Sequence, residues 1–314
     1  MSAEILPVSV VIPVLNEAAT LPALLSALAN QTAKPQELFF IDTGSTDGSL
    51  DMVNAWWRRE QWRDGSLLAL SSPGAYPGGA RNAGIERATQ PWIAFLDAGV
   101  TPDRDWLQIL IDSAQTAKPA GVFGLTRFTG RDALTTALCA LSYGQGAARA
   151  TLPGSMFRRD VFARIGGFDG TLRAGEDVVW LRKFDQAYPD GRMQCTAGAV
   201  YSHFPESLPA AASKWFDYEQ HAARAGLHRG MMLAAGAGGL LTIAAFATQP
   251  AAGLAICLLY LVARGVVDPI RRSASWSWWA DHPVALVLAP LCALVIDSAK
   301  LAGQIAGRLK AKHV

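Results

Sequence analysis

Cysteine is scarce and scattered: the 314 residues hold four, Cys139, Cys195, Cys257 and Cys292, and no two form a C-x-x-C pair. That spacing offers neither a zinc site nor a disulfide framework and suits a reducing compartment. Charge is also thin, at 17% of residues, with 28 Lys and Arg against 26 Asp and Glu for a formal net charge of +2. No long basic run with interleaved aromatics occurs, so DNA and RNA are not expected partners. The string G-x-x-x-x-G-K-S/T is missing, which argues against a P-loop NTPase. The N-terminus lacks a basic segment followed by a long apolar stretch, because Glu4, Pro7, Pro13, Asn16 and Glu17 interrupt it. No signal peptide is read there, and the N-terminal domain is expected to stay in the cytosol.

Hydrophobic residues are plentiful, 51% of the chain, and the surplus lies mostly in the C-terminal third. Val8–Val14 is a β-branched, nearly all-apolar run, the pattern of a strand buried on both faces of a parallel sheet. A helix is predicted next, with Thr20 as N-cap, Pro22 in its first turn, and Leu21, Leu24, Leu25 and Leu28 on one face. A strand over Glu37–Asp42, a helix over Leu50–Trp62 and a strand over Leu67–Leu70 continue a βαβαβ order. The Gly/Pro-rich loop Ser72–Gly79 leads into a helix through Arg87, and Trp92–Asp97 reads as another buried strand. This alternation predicts a doubly wound α/β sheet with ligands beyond the carboxyl ends of its strands, where Asn16, Glu17, Asp42, Arg81 and Asp97 fall.

Further along the pattern becomes α+β. Helices are predicted over Asp103–Thr116 and Asp132–Ala148, and a strand over Val122–Phe128. Gly154–Phe162 reads as a strand running into a turn at Gly166 and Gly167. Glu176 and Asp177 open another helix, and Met193–Phe204 is extended.

From Arg229 to Arg264 no intervening residue is charged. About 20 helical residues cross a bilayer core of ~30 Å, so this stretch is expected to span at least once. Gln249 and Pro250 divide it into one kinked helix or two short ones. Val284–Ile296 begins a further membrane segment, preceded by the interfacial tryptophans Trp276, Trp278 and Trp279, and Asp297 and Lys300 are spaced to pair on one helix face. Arg308, Lys310 and Lys312 favour a cytosolic C-terminus, whereas Arg264, Arg271 and Arg272 favour a cytosolic intervening loop; a segment lying flat at the interface reconciles them.

Five strings carry a resemblance: V-V-I-P-V-L-N-E (Val10–Glu17), I-D-T-G-S-T-D-G-S (Ile41–Ser49), G-A-R-N-A-G-I (Gly79–Ile85), F-L-D-A-G (Phe95–Gly99) and G-E-D (Gly175–Asp177). In order and spacing they resemble family 2 glycosyltransferases, over about residues 8 to 204, and C-terminal membrane segments are common in that family. The resemblance implies a GT-A-like, Rossmann-type mixed sheet flanked by helices, followed by C-terminal membrane helices. Residues 1–228 are then the nucleotide-sugar-binding catalytic domain and residues 229–314 the anchor.

It also implies roles. Asp42 accepts a hydrogen bond from the imino N–H of a pyrimidine base; the alternative for it is a solvated turn aspartate, a role better suited to Asp47. Pro13, Leu15, Asn16 and Glu17 line the nucleotide pocket; the alternative is a strand-to-helix turn with Glu17 simply exposed, which suits Leu15 equally. Arg81 meets the diphosphate at a helix N-terminus, its alternative being a surface arginine. Asp97 begins an Asp-x-Asp motif whose carboxylates hold ribose and a divalent metal, Mg²⁺ or Mn²⁺. Gly99 replaces the second Asp, so Asp97 and His203 are the expected metal ligands, His203 having a buried strand histidine as its alternative.

Asp177, with Glu176 beside it, is the expected base for the acceptor hydroxyl, giving inversion at the anomeric carbon; helix N-terminal acids favoured by the macrodipole are the other reading. Where processive members carry Q-x-x-R-W, this chain has His221, Arg224 and Ala225, which implies single-sugar transfer. The expected enzyme moves a sugar from a nucleotide-sugar, UDP-linked, to a saccharide or lipid-linked acceptor at the inner membrane, with its catalytic domain in the cytoplasm. A catalytically inactive nucleotide-sugar-binding membrane protein of the same fold is the alternative, with Gly99 as its support.

Overall fold

The computed structural model describes residues 4–60, 66–203, 207–224, 226 and 228–311. Met1–Arg127 with Ala148–Ser202 form one compact unit, and Phe128–Ala147 with His203–Val314 a second.

In the first unit the chain runs β1 (Glu4–Val14), α1 (Leu21–Ala29), β2 (Ala33–Asp42), α2 (Ser49–Glu60), β3 (Ser66–Ser71), α3 (Pro77–Arg87) and β4 (Trp92–Phe95). Then follow β5 (Val100–Pro102), α4 (Trp106–Ala117) and β6 (Gly121–Thr129). After α5 (Ala133–Ser142) come β7 (Ala148–Ala150), β8 (Met156–Arg158), α6 (Arg159–Ile165), α7 (Glu176–Ala187) and β9 (Arg192–His203). Among the described residues nine strands make one sheet in the order β3-β2-β1-β4-β8-β6-β9-β5, with β7 beside β6.

The apolar run of β1 is buried on both faces, as its composition requires. Val8, Val10, Ile12 and Val14 join one core with Leu21, Leu24, Leu25 and Leu28 of α1, while Val11 points into the other with Phe95, Phe157 and Trp180. Each such fully buried side chain stabilises the fold by ~1.5–3 kcal/mol relative to exposure. β1 pairs in parallel with both β2 and β4, in registers that bring Val14 beside Asp42 and Val11 beside Phe95. The carboxyl ends of β2, β1 and β4 therefore form one rim. Beyond β4 the sheet turns antiparallel, β4 to β8 and β8 to β6, which makes it mixed.

Several local expectations are corrected. Thr20 stands at the N-cap of α1 but makes no capping bond, because its hydroxyl is turned to the Glu17 carboxylate and carbonyl. The predicted helix from Asp132 to Ala148 stops at Ser142, where Gly144 enters the left-handed region at φ +93° and its N–H returns to the Cys139 carbonyl. The strand predicted to run from Gly154 is confined to Met156–Arg158 and passes directly into helix α6. The predicted end of α2 at Trp62 and of β9 at Phe204 lies outside the described residues.

The second unit holds α5, α8 (Leu208–Arg224), α9 (Arg229–Thr248), α10 (Pro250–Val262), a five-residue π turn (Ala263–Val267), α11 (Asp268–Arg272) and α12 (Val284–Ala311). Asp132 and Thr135 form a capping box at the start of α5. Leu138 and Leu141 of α5, Trp215 of α8, Trp278, and Ala289, Ala293 and Ile296 of α12 share its core. The uncharged stretch breaks into two helices at Gln249 and Pro250. Two runs, Pro250–Arg272 and Val284–Lys310, are long and apolar enough to cross a membrane. Their side chains largely face outward, with Leu259 at 69% and Val287 at 70% exposure, unlike a buried core helix. Asp297 does not bridge to Lys300: it takes two bonds from Arg264, at 2.6 and 2.7 Å, and one from the Tyr260 hydroxyl. The Lys300 ammonium lies instead 4.2 Å from the centre of the Trp215 ring.

Candidate active site

The turn after β1 and the loop after β2 are stitched together by side chains reaching backbone amides. The Asn16 N–H donates to Ser45 Oγ, the Thr46 N–H to Asn16 Oδ1, the Glu17 N–H to Ser49 Oγ and the Ala18 N–H to Asp47 Oδ2, each at 2.9 Å. Asn16 sits at φ +54°, a left-handed conformation that asparagine adopts more readily than most residues. Its amide is thus committed to the loop. Asp42, 4% exposed, accepts from the Gly44 N–H at 3.1 Å and the Ser45 N–H at 3.2 Å. It is a buried loop-capping aspartate rather than a solvated one, and Asp47 caps as well, through Ala18 and Ser49. Pro13 is half-buried in β1, while Leu15 is 51% exposed.

Arg81 lies in α3, 4% exposed, and is not a surface arginine. Its Nη2 donates to Asp97 Oδ1 at 2.8 Å and its Nη1 to Glu176 Oε1 at 2.6 Å. Its guanidinium lies 5.7 Å from the Phe168 ring centre, and its Nε has no hydrogen-bond partner among the described residues. Burial works against its charge, but Asp97, Glu176 and Asp177 outweigh that and hold its pKa above the ordinary value. Glu176 is pushed up by burial, and by Asp177, although Arg81 opposes the shift. Asp177 occupies the first turn of α7 behind Gly175, and its Oδ1 accepts from the Val178 N–H at 2.8 Å.

α7 is held from below by rings: Trp180 stacks on Phe162 at 5.0 Å and meets Phe157 edge-on at 4.9 Å. Close approach of α3 requires Gly78, where a Cβ would lie 2.7 Å from the Asp169 carbonyl oxygen and 3.1 Å from Glu176 Cγ. Glu17, at the end of β1, has its carboxyl pushed up by burial, against a bond from Thr20, and by the charges of Asp97 and Asp47. Two runs of contacts thus leave this rim, one from Asp42 after β2 through Ser45 to Asn16 after β1, the other from Asp97 after β4 through Arg81 to Glu176.

The loop residues Ser45, Thr46 and Ser49 escaped the sequence reading, though an S-T-D-G-S string is itself a cue for side-chain-to-backbone turns. The bridging role of Arg81 left no local signal, because its two partners are 16 and 95 residues away.

Among the described residues no group of three or more His, Cys, Asp and Glu side chains is arranged to hold a metal. The His203 side chain lies outside the described residues; its backbone ends β9. Asp97 nonetheless suits a hard divalent cation. Its side chain is 44% exposed, its Oδ2 has no donor among the described residues, and Mg²⁺-type sites need only one or two carboxylates beside substrate phosphates.

A family model described as Glycosyl transferase family 2 matches residues 9–166. Glycosyltransferase AglE of Haloferax volcanii is 28% identical over 190 residues, covering 57% of this chain and 62% of the relative. A PGL/p-HBAD biosynthesis glycosyltransferase of Mycobacterium tuberculosis is 40% identical over 93 residues, 29% of this chain and 34% of the relative. The matches therefore span less than two thirds of either relative's own length. The solved structure of the mannosyltransferase PcManGT from Pyrobaculum calidifontis, in complex with GDP-Man and Mn2+, superposes with a TM-score of 0.54 at 19% identity, covering 98% of this chain and 87% of that one. That likeness concerns the fold, a GT-A-like mixed sheet flanked by helices.

Proposed function

The chain belongs to glycosyl transferase family 2, and we propose that it transfers one sugar from a nucleotide-sugar, UDP-linked, to a saccharide or lipid-linked acceptor at a membrane, with inversion. The observation that carries this reading is the Asp97–Arg81–Glu176 ion triad at the rim of the sheet, next to Asp177. A parallel rim of this kind is where α/β folds take nucleotides.

In this reading residues 1–228 are the catalytic domain. Asp42 takes the base, with Pro13, Leu15, Asn16 and Glu17 around the nucleotide. Arg81 contributes positive charge to the diphosphate subsite from within the triad, not by a free guanidinium. Asp177 accepts the proton of the acceptor hydroxyl as that oxygen attacks the anomeric carbon opposite the nucleotide, and Glu176, fixed by Arg81, orients the helix end that carries it. Mg²⁺ or Mn²⁺, held by Asp97, would neutralise the departing diphosphate.

Residues 229–314 act as the anchor. The outward apolar faces of α10 and α12 support association with a bilayer, and a lipid-linked acceptor would be concentrated there. The inner membrane, with the catalytic domain in the cytoplasm, fits the reducing-compartment cysteine pattern.

Gly99 favours a second reading, in which the fold binds nucleotide-sugar without turning it over. A thermal-stability screen of UDP- and GDP-sugars, followed by transfer assays with and without Mn²⁺, separates the two. Stabilisation with turnover supports the enzyme, stabilisation without turnover supports the binding protein, and no stabilisation contradicts both.

A further inference from the structure

Building on that donor reading, we infer that Glu17 supplies the second protein carboxylate for the donor's divalent cation, in the role that Gly99 leaves vacant. The third position of the Asp-x-Asp pattern carries no side chain here. A Cβ built on Gly99 would meet one atom within 4 Å, the Glu17 carboxylate oxygen Oε2 at 3.9 Å. The space into which an aspartate would project is thus faced by a carboxylate from the turn after a neighbouring strand, through the oxygen that also accepts from the Thr20 hydroxyl.

The topology makes this arrangement specific. β1 and β4 are parallel neighbours, and the Leu96 N–H bonds to the Val11 carbonyl, so the turn carrying Glu17 and the turn carrying Asp97 and Gly99 leave the same rim side by side. Glu17 is held there at two points. Its N–H is bonded to Ser49 Oγ, and its carboxylate accepts from the Thr20 hydroxyl. Asp97 is likewise held through Oδ1 by Arg81. Glu17 Oε1 and Asp97 Oδ2 have no donor among the described residues. Two oxygens of hard character therefore remain, the number that Mg²⁺ or Mn²⁺ takes from protein when phosphate oxygens and water complete its shell. Two carboxylates alone make a weak cation site. Tight cation binding should therefore require the nucleoside diphosphate.

Gly99 is not confined to glycine by its backbone, since its φ is not positive, and a new Cβ there would be in ordinary van der Waals contact. A compensating exchange is thus available. The full chain in detergent is titrated with Mn²⁺, free ion being read by its electron paramagnetic resonance, alone and with saturating UDP or GDP. Nucleotide binding is measured separately without metal, and thermal unfolding verifies each variant's fold. We expect Glu17→Gln to weaken Mn²⁺ binding in the nucleotide complex by about tenfold or more, at nucleotide concentrations that the metal-free titration of the same variant shows to be saturating. Adding Gly99→Asp to Glu17→Gln should restore it. Mn²⁺ binding by folded Glu17→Gln that equals the parent's, with nucleotide bound, overturns the assignment of Glu17 alone. Failure of the parent chain to bind either nucleotide overturns the donor reading and this assignment together.

Discussion

Arg81 and Glu176 are joined by an ion pair of 2.6 Å with side-chain exposures of only 5% and 7%, although 95 residues separate them. Removing one member of a buried pair leaves the other uncompensated, which costs about 3–5 kcal/mol. Arg81→Met should therefore lower stability strongly, while the double change Arg81→Met with Glu176→Gln recovers part of the loss. Denaturant unfolding of the parent, the two single variants and the double variant checks this; additive losses would mean that the pair is not coupled.

Gly78 controls how closely α3 approaches the segment before α7. Ala at this position brings a Cβ to 2.7 Å from the Asp169 carbonyl, which belongs to the backbone and cannot swing away. Gly78→Ala should destabilise by ~1–3 kcal/mol and reduce transfer, by moving Glu176 and Asp177. Unfolding and kcat measured on the same sample check both effects.

Far from the site, Glu37 receives Ser9 Oγ and Thr89 Oγ1 at 2.5 Å each and the Thr89 N–H at 2.9 Å. Burial works against this carboxylate, but bonds from Ser9, Thr89 and Gln90 overcome it and hold its pKa below the ordinary 4.5. A depressed carboxylate stabilises fully above its unfolded pKa and loses that contribution as pH falls through its folded pKa. Stability should thus decline on acidification below about pH 4.5, and Glu37→Gln should flatten that part of the profile while being less stable at pH 7. Unfolding at a series of pH values reads both.

Asp42 serves its own loop and, in the proposed function, the base. Asn in its place still offers an oxygen to the Gly44 and Ser45 amides. Asp42→Asn should keep the melting temperature nearly unchanged, whereas Asp42→Ala should lower it. Both should weaken nucleotide-sugar binding by roughly tenfold, the value of a hydrogen bond to a charged group. Calorimetric titration beside thermal unfolding distinguishes the two roles.

How far these features were legible in the sequence depends on the range of the interaction that makes them. β1 was readable because Val8–Val14 is an uninterrupted apolar run, and the break at Gln249 and Pro250 because proline acts locally. Asp42, Asp97 and Asp177 could be singled out because each sits in a short string at an element's end. What escaped was non-local. The Arg81 triad joins three elements, and Glu37 is claimed by Ser9 and Thr89 across two strands. Thr20 preferred the Glu17 carboxylate to its own helix, and Asp297 took Arg264 from another helix in preference to nearby Lys300. For Thr20 and Asp297 a partner outside the helix displaced the one that local spacing suggested.

The sharpest test of the account is a paired measurement on Asp177→Asn, of donor affinity by titration and of sugar transfer by kcat. A general base contributes ~10²–10⁴-fold, so transfer should fall by at least that range while donor affinity stays close to the parent's. Near-normal turnover in this variant would contradict the proposed chemistry.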